Sequence, residues 1–301
     1  MRSPLPVQRR RRVAAALATV ALAAAAVVSL PGTSATAAAF RPSGDSCGTT
    51  LYKADGSAWS CSFVDNFSGT RLDTTKWTIG ETATSGFFVG NTCLTANNVA
   101  VGGGELRLTA RDTGQSFTCP TAAGGFTTRY TGGHIGTVGH FSQTYGRFEV
   151  RSRYPQSSSG LTANFWMYPD KQTYGAWPSS GEIDVSEWWS SSPTQVLPTL
   201  HYSGSTFAGD SGWGCTVADP TTWHTYTLVW QPTQMQFSID GTTCFTDSWT
   251  PNAPLVAPQP FDKPFSMLLT MAAGGASGAD AVSASTTFPA TYEVDYAKAW
   301  K

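Results

Sequence analysis

The 301-residue chain holds only six glutamates, and two of them stand with an aspartate in Gly181-Glu182-Ile183-Asp184-Val185-Ser186-Glu187-Trp188-Trp189. Three carboxyl groups in an apolar, aromatic stretch are costly to ionise, because each negative charge raises its neighbours' pKa values and burial raises them further. One of the three is then held as a neutral acid. A carboxylate beside a carboxylic acid is the pair that cleaves a glycosidic bond, one attacking or activating water while the other protonates the leaving oxygen. Neighbours two residues apart on a strand face are close, which favours a retaining enzyme over an inverting one, whose carboxyls must leave room for a water. Glu182, Asp184 and Glu187 are the catalytic candidates.

The aromatic residues around them fit a sugar. Trp166 in Asn164-Phe165-Trp166-Met167, Trp177 before Pro178, and the pair Trp188-Trp189 all fall close to the acids in sequence. Flat rings suit the apolar faces of pyranose units, although any one of these tryptophans could instead be core. Asn164, Trp166, Trp177 and Trp188 are the substrate-binding candidates.

These side chains must be positioned by strands. Residues 105–110, 146–153, 225–230 and 234–239 alternate apolar with polar residues at period two, the pattern of half-buried antiparallel strands. Gly102-Gly103-Gly104 and Asp240-Gly241 mark turns between them, and no amphipathic run reaches helix length. The expectation is an all-β fold, a β-jelly-roll sandwich of two antiparallel sheets of the concanavalin-like kind with a concave substrate cleft. On a regular strand Glu182 and Asp184 share a face while Glu187, five residues from Glu182, points the other way. A one-residue β-bulge at Val185 or Ser186 would bring all three to one face, so a bulge is predicted there.

Arg2 and Arg9 to Arg12 precede an almost wholly apolar run from Val13 to Leu30, and Ala35-Thr36-Ala37 supplies small residues at a cleavage spacing. This is the pattern of a secretory signal peptide over 1–37, suited to general or twin-arginine export; a membrane anchor is the competing reading. Residues 38–61 read as a short N-terminal extension and 62–301 as one catalytic domain. Loss of 1–37 removes five basic residues and no acid, leaving 14 Lys+Arg against 20 Asp+Glu. The exported chain is expected to be secreted, extracellular and monomeric, with no nucleic-acid or membrane partner and a neutral polysaccharide substrate. Six cysteines in an exported chain imply disulfides, and although 15 connectivities exist, the sequential pairs Cys47–Cys61, Cys93–Cys119 and Cys215–Cys244 close short loops and are favoured.

Glu182-Ile183-Asp184-Val185-Ser186-Glu187 resembles the catalytic signature of glycoside hydrolase family 16, in the bulged form of laminarinase-like endo-β-1,3-glucanases. The resemblance runs through Phe63-Val64-Asp65-Asn66-Phe67-Ser68-Gly69, Trp77, Tyr145-Gly146-Arg147-Phe148-Glu149, Trp177-Pro178, Thr199-Leu200-His201-Tyr202, Trp223-His224-Thr225-Tyr226, Phe261-Asp262-Lys263-Pro264-Phe265 and Val294-Asp295-Tyr296. It implies double displacement on a laminarin-like β-glucan, with Glu182 as nucleophile, Glu187 as acid/base and Asp184 orienting Glu182. It also implies that His201 sits beside the acids, that catalysis needs no cofactor, and that Asp295 would serve a structural calcium. The chain departs from the family's usual residues at Asn66, His134, Ser186 and Trp188, which leaves linkage and chain specificity open. Other activities on the same fold, on mixed-linkage β-1,3-1,4-glucan or β-galactan, are the alternatives, followed by a non-catalytic glycan-binding sandwich. His134, His140 and His224 read as surface or hydrogen-bonded structural histidines, and the Gly-rich 273–278 as a loop at the cleft rim.

Overall fold

A computed structural model describes residues 45–301, except 158, 276 and 277. The signal-peptide expectation for 1–37 lies outside the described residues. In chain order the strands are β1 (Cys61–Asp65), β2 (Thr78–Ile79), β3 (Thr92–Leu94), β4 (Val99–Gly102), β5 (Glu105–Cys119), β6 (Phe126–Gly136), β7 (Gly146–Arg153), β8 (Leu161–Pro169), β9 (Glu182–Trp189), β10 (Val196–His201), β11 (His224–Gln231), β12 (Gln234–Ile239), β13 (Thr242–Asp247), β14 (Phe265–Ala273) and β15 (Ala290–Trp300). The longest α-helix among the described residues is the single turn Thr82–Ser85.

The strands run in the order β10-β9-β8-β14-β6-β5-β15-β7-β11-β12-β13, with β6 and β5 joining two layers. The first layer, β10-β9-β8-β14-β6, carries the candidate site. The second, β5-β15-β7-β11-β12-β13, backs it. Period-two sequence explains both. On β8, Leu161, Ala163, Phe165 and Met167 join the core, which leaves Thr162, Asn164, Trp166 and Tyr168 for the opposite face. On β14, Met267, Leu269 and Met271 do the same and leave Thr270 outward. The second layer answers with Leu106, Leu108, Phe148, Val150, Tyr226, Leu228, Trp230, Tyr292 and Val294. Each such side chain contributes roughly 1.5–3 kcal/mol through its removal from water.

The β12–β13 hairpin turns on Asp240 and Gly241, both at positive φ (50° and 79°), a backbone conformation that Asp and Gly adopt more readily than most residues. The disulfides are Cys47–Cys61, Cys93–Cys119 and Cys215–Cys244, with Cα separations of 5.9, 5.6 and 5.1 Å. The first ties residues 45–60 to the start of β1. Ser60 and Lys301 then exchange main-chain hydrogen bonds of 3.0 and 2.7 Å.

Candidate active site

The site is built on one irregularity in β9. Against β8, Ser186 pairs with Phe165 and Asp184 with Trp166, so Val185 is an extra residue without a partner. Against β10, Glu187 pairs with Leu197 and Asp184 with Thr199, so Val185 and Ser186 together oppose Pro198. This is a one-residue bulge at the predicted position. Pro198 has no N–H to give, and a bulge opposite it on the edge strand β10 is where that costs least.

Ile183, Val185 and Trp188 enter the core from β9, and Ser186 is fully buried beside them. With two consecutive inward residues, the alternation restarts and Glu182, Asp184, Glu187 and Trp189 share the outward face. Trp188 does not line the site, contrary to expectation. It is fully buried, stacks on Tyr154 at 5.0 Å with the rings 8° from parallel, and donates its Nε1–H to the Pro193 carbonyl at 2.9 Å. Trp189 takes the outward place instead.

Outward side chains from neighbouring strands close around the acids. The Asp184 carboxylate lies 2.9 Å from His201 Nε2 on β10, and Trp177 donates its Nε1–H to Glu182 at 2.5 Å. Asn164 on β8 and Trp189 both hydrogen-bond Glu187. Trp166 donates to Thr270 Oγ1 at 2.9 Å, and the same hydroxyl lies 2.8 Å from His134 Nδ1. His134 is buried, which pushes its pKa down to about 4 and keeps it neutral. Its Nδ1 can then accept the Thr270 hydroxyl proton while Thr270 accepts from Trp166. A histidine that reads as structural in the sequence thus holds the Trp166 ring in place through one intermediary.

Burial dominates the electrostatics. It lifts Glu182 to about 8, with the Asp184 charge adding to the rise and His201 and the Trp177 N–H opposing it. Asp184 rises to about 7 through burial alone. Glu187 rises to about 8 through burial and then Asp184, against the hydrogen bonds from Trp189 and Asn164. These carboxyls titrate as one cluster that keeps a proton near neutrality. Such a cluster holds an acid and a base at the same pH.

Two hollows flank the cluster. One, of about 480 Å³, reaches from Glu182 and Trp177 over Asn164, Trp166 and Thr270 to the loop Phe87–Gly90. The other, of about 230 Å³, holds Glu187, Trp189, Leu197, Phe207, Trp213 and Asp280. Thr270, Phe87, Phe207 and Trp213 were not singled out by sequence, and of the pair Trp188-Trp189 only Trp188 was carried forward as a binding candidate. Trp189 follows from the bulge, Thr270 from period-two counting on β14, and the loop residues carry no local signal.

Asp295, the residue expected for calcium, lies on β15 and pairs with Arg151 on β7. It accepts a 2.6 Å hydrogen bond from Arg151 Nη1. Among the described residues no group of three or more Asp, Glu, His or Cys side chains could hold a metal ion.

Comparisons with known proteins converge on one family. The chain matches Glycosyl hydrolases family 16 over residues 90–298. It is 32% identical to Glucan endo-1,3-beta-glucosidase A1 of Niallia circulans over 79% of this chain and 37% of the relative. It is 33% identical to the Beta-glucanase of Rhodothermus marinus, over 68% of this chain and 70% of the relative. The solved structure of the laminarinase from Rhodothermus marinus superposes with a TM-score of 0.66 at 30% identity, covering 81% of this chain and 97% of that one. The chain thus spans little more than a third of the Niallia circulans protein's length.

Proposed function

The chain belongs to glycosyl hydrolases family 16, and from that premise we propose that it is a secreted, retaining endo-β-1,3-glucanase acting on laminarin-like glucan. One observation carries the reading: a bulge at Val185 turns three carboxyl groups, Asp184 buried and Glu182 and Glu187 half-buried, to the same face of β9, between two aromatic hollows. The named activities of the Niallia circulans and Rhodothermus marinus relatives support β-glucan as the substrate class.

In the proposed mechanism Glu182 attacks the anomeric carbon of the sugar in the larger hollow. A C1–O bond to the carboxylate forms as the glycosidic C1–O bond breaks. Glu187 gives its proton to the departing oxygen, and the leaving chain departs with a free hydroxyl. Water then enters, gives its proton to the Glu187 carboxylate and displaces Glu182, so the anomeric configuration is retained. The Trp177 N–H stabilises negative charge on Glu182 before attack and after release. Asp184, held by His201, places a third carboxyl beside Glu182 and lets a proton be redistributed within the cluster. No step calls for a metal or an organic cofactor.

Incubation with laminarin, barley mixed-linkage glucan and agarose, followed by product analysis, tests the substrate. Short β-1,3 oligosaccharides from laminarin, with the β-anomer formed first by proton NMR, are the expected result. Cleavage of agarose alone would replace the glucanase reading with a galactanase. An α-anomer formed first would refute double displacement. Glu182→Gln should abolish turnover while still binding oligosaccharide, and wild-type rates in that variant would remove Glu182 from the nucleophile's place.

A further inference from the structure

Trp177 gives its N–H to Glu182 yet is 54% exposed, so packing alone does not hold the ring there. The loop 170–181 that carries it joins β8 to β9, and in it Lys171, Gln172, Thr173, Gly175 and Ala176 are exposed. With so little apolar burial its shape must come from hydrogen bonds. Resting on the reading of Glu182 as nucleophile, we propose that Tyr174 and Asp262 are positioning residues that hold the Trp177 N–H on the Glu182 carboxylate.

The loop is fastened at three points to one short segment, 261–264. At its start the Asp170 N–H donates to the Pro264 carbonyl at 2.9 Å. At its end Gly181 lies so close to Phe261 that a Cβ there would come within 2.8 Å of the ring, and its φ of 86° suits glycine. Between these the Tyr174 hydroxyl lies 2.8 and 2.9 Å from the two Asp262 carboxylate oxygens, a hydrogen bond of the stronger, charge-assisted kind. Asp262 is itself fixed, because Phe261 before it is fully buried and Lys263 Nζ donates to it at 3.0 Å.

From Tyr174 the constraint passes to Trp177 in two short steps. The Tyr174 N–H donates to Oγ of the buried Ser180 at 2.9 Å, and the Ser180 hydroxyl donates to the Gly175 carbonyl at 2.7 Å, so one serine ties both sides of the loop. The Ser179 N–H then closes a turn onto the Ala176 carbonyl at 2.9 Å, with Trp177 and Pro178 at its tip. A hydrogen bond weakens steeply as its donor tilts or withdraws, so a loosened turn loses the contact with Glu182 while the sheets stay intact. Glu182 then holds its proton more tightly, since that N–H favours the ionised form. The other titratable groups around Glu182 are Asp184 and Glu187 on β9 and His201 on β10; β8 and β14 line the same hollow with Tyr168 and the uncharged Asn164, Trp166 and Thr270. Asp262 faces Lys263, Tyr174 and Tyr145. Among the described residues neither Tyr174 nor Asp262 hydrogen-bonds a carboxyl group of β9, which leaves Trp177 as the route between them.

The proton affinity of Glu182 is read without substrate by carboxyl-carbon NMR. The chain has six glutamates, so isotope labelling of their carboxyl carbons gives few resonances, and Glu182→Gln identifies the one wanted. Tyr174→Phe, which keeps the ring, should raise the Glu182 midpoint by about half a unit. Asp262→Ala should do the same, while Asp262→Asn, which still offers an oxygen to Tyr174, should move it far less. The acid limb of kcat/KM on laminarin should rise with the midpoint, a loss of about threefold at a pH on that limb. With Trp177→Phe already in place, Tyr174→Phe should move neither reading further. A midpoint unmoved in folded Tyr174→Phe overturns the proposal. A shift of undiminished size in the Trp177→Phe background overturns it too, because the tyrosine then acts by another route. Should Tyr174→Phe fail to fold, Asp262→Asn set against Asp262→Ala decides by the same readings. A midpoint that moves as expected in a protein whose wild type leaves laminarin uncut overturns the glucanase reading alone.

Discussion

Glu187→Gln should stop turnover and stabilise the fold, and the gain should grow with pH. In the fold Glu187 holds its proton up to about pH 8, against an ordinary value of 4.5. An unfolded chain loses that proton near 4.5, so between pH 4.5 and 8 the folded protein binds more protons than the unfolded one. Stability therefore falls as pH rises through this window, and the full penalty stands above pH 8. At 1.36 kcal/mol per pKa unit the ceiling is about 5 kcal/mol. Glu182 and Asp184 share the burden and relax when one charge is removed, so about 2 kcal/mol is expected at pH 8, vanishing at or below pH 4.5. For a domain of this size that is a rise in Tm of roughly 4–8 °C. Calorimetric scans of wild type and variant at pH 4.5, 6, 7 and 8 measure it. A gain that is flat across pH, or that shrinks as pH rises, would refute the claim that burial holds Glu187 neutral.

Trp177→Phe keeps a ring in the cleft but removes the N–H that lowers the Glu182 pKa. The acid limb of the kcat/KM profile should move to higher pH, and an unmoved or downward limb contradicts the role of that hydrogen bond. Ser186 is fully buried and its Oγ has no hydrogen-bond partner among the described residues; Ser186→Ala should leave the midpoint in guanidinium unchanged or raise it, by up to about 1 kcal/mol. Replacing both Cys215 and Cys244 with alanine opens a loop of 29 residues and should cost about 3–4 kcal/mol in chemical unfolding. A loss of under 1 kcal/mol would mean that hydrogen bonds such as that from the Gly212 N–H to the Pro198 carbonyl hold the loop alone.

What the sequence made legible was local. Period-two alternation marks β7, β11 and β12 nearly to the residue because each buries one face, and the Asp240-Gly241 turn needs only two residues to declare itself. The bulge was legible for a different reason. Three acids that must share a face cannot do so at the spacing of Glu182, Asp184 and Glu187 on a regular strand. Trp188 was misplaced because two adjacent tryptophans cannot both face the cleft once the alternation restarts at Glu187, and only counting onward from the bulge assigns the site to Trp189. The role of His134 and the placement of the Phe207–Trp213 loop were out of reach. Their relation to the acids passes through pairings between β6, β14 and β8, through β10, and through a disulfide, none of which a local pattern encodes.

The bulge also explains why β9 has the composition it has. A strand that must present Glu182, Asp184 and Glu187 outward needs two consecutive inward positions, and the chain fills them with Val185 and Ser186. Val185 packs in the core, whereas Ser186 gains little there, since its hydroxyl is buried without a partner. An aliphatic side chain at 186 would offer more apolar contact, so stability alone does not account for the serine. Across the core from it, the Tyr154 hydroxyl lies 3.4 Å from the Ser186 carbonyl, and the Tyr154 ring stacks on both Trp188 and Tyr292. That stack fixes Trp188, the inward neighbour of Glu187. The position of the acid in the cleft is thus coupled to the packing on the opposite face of the same strand.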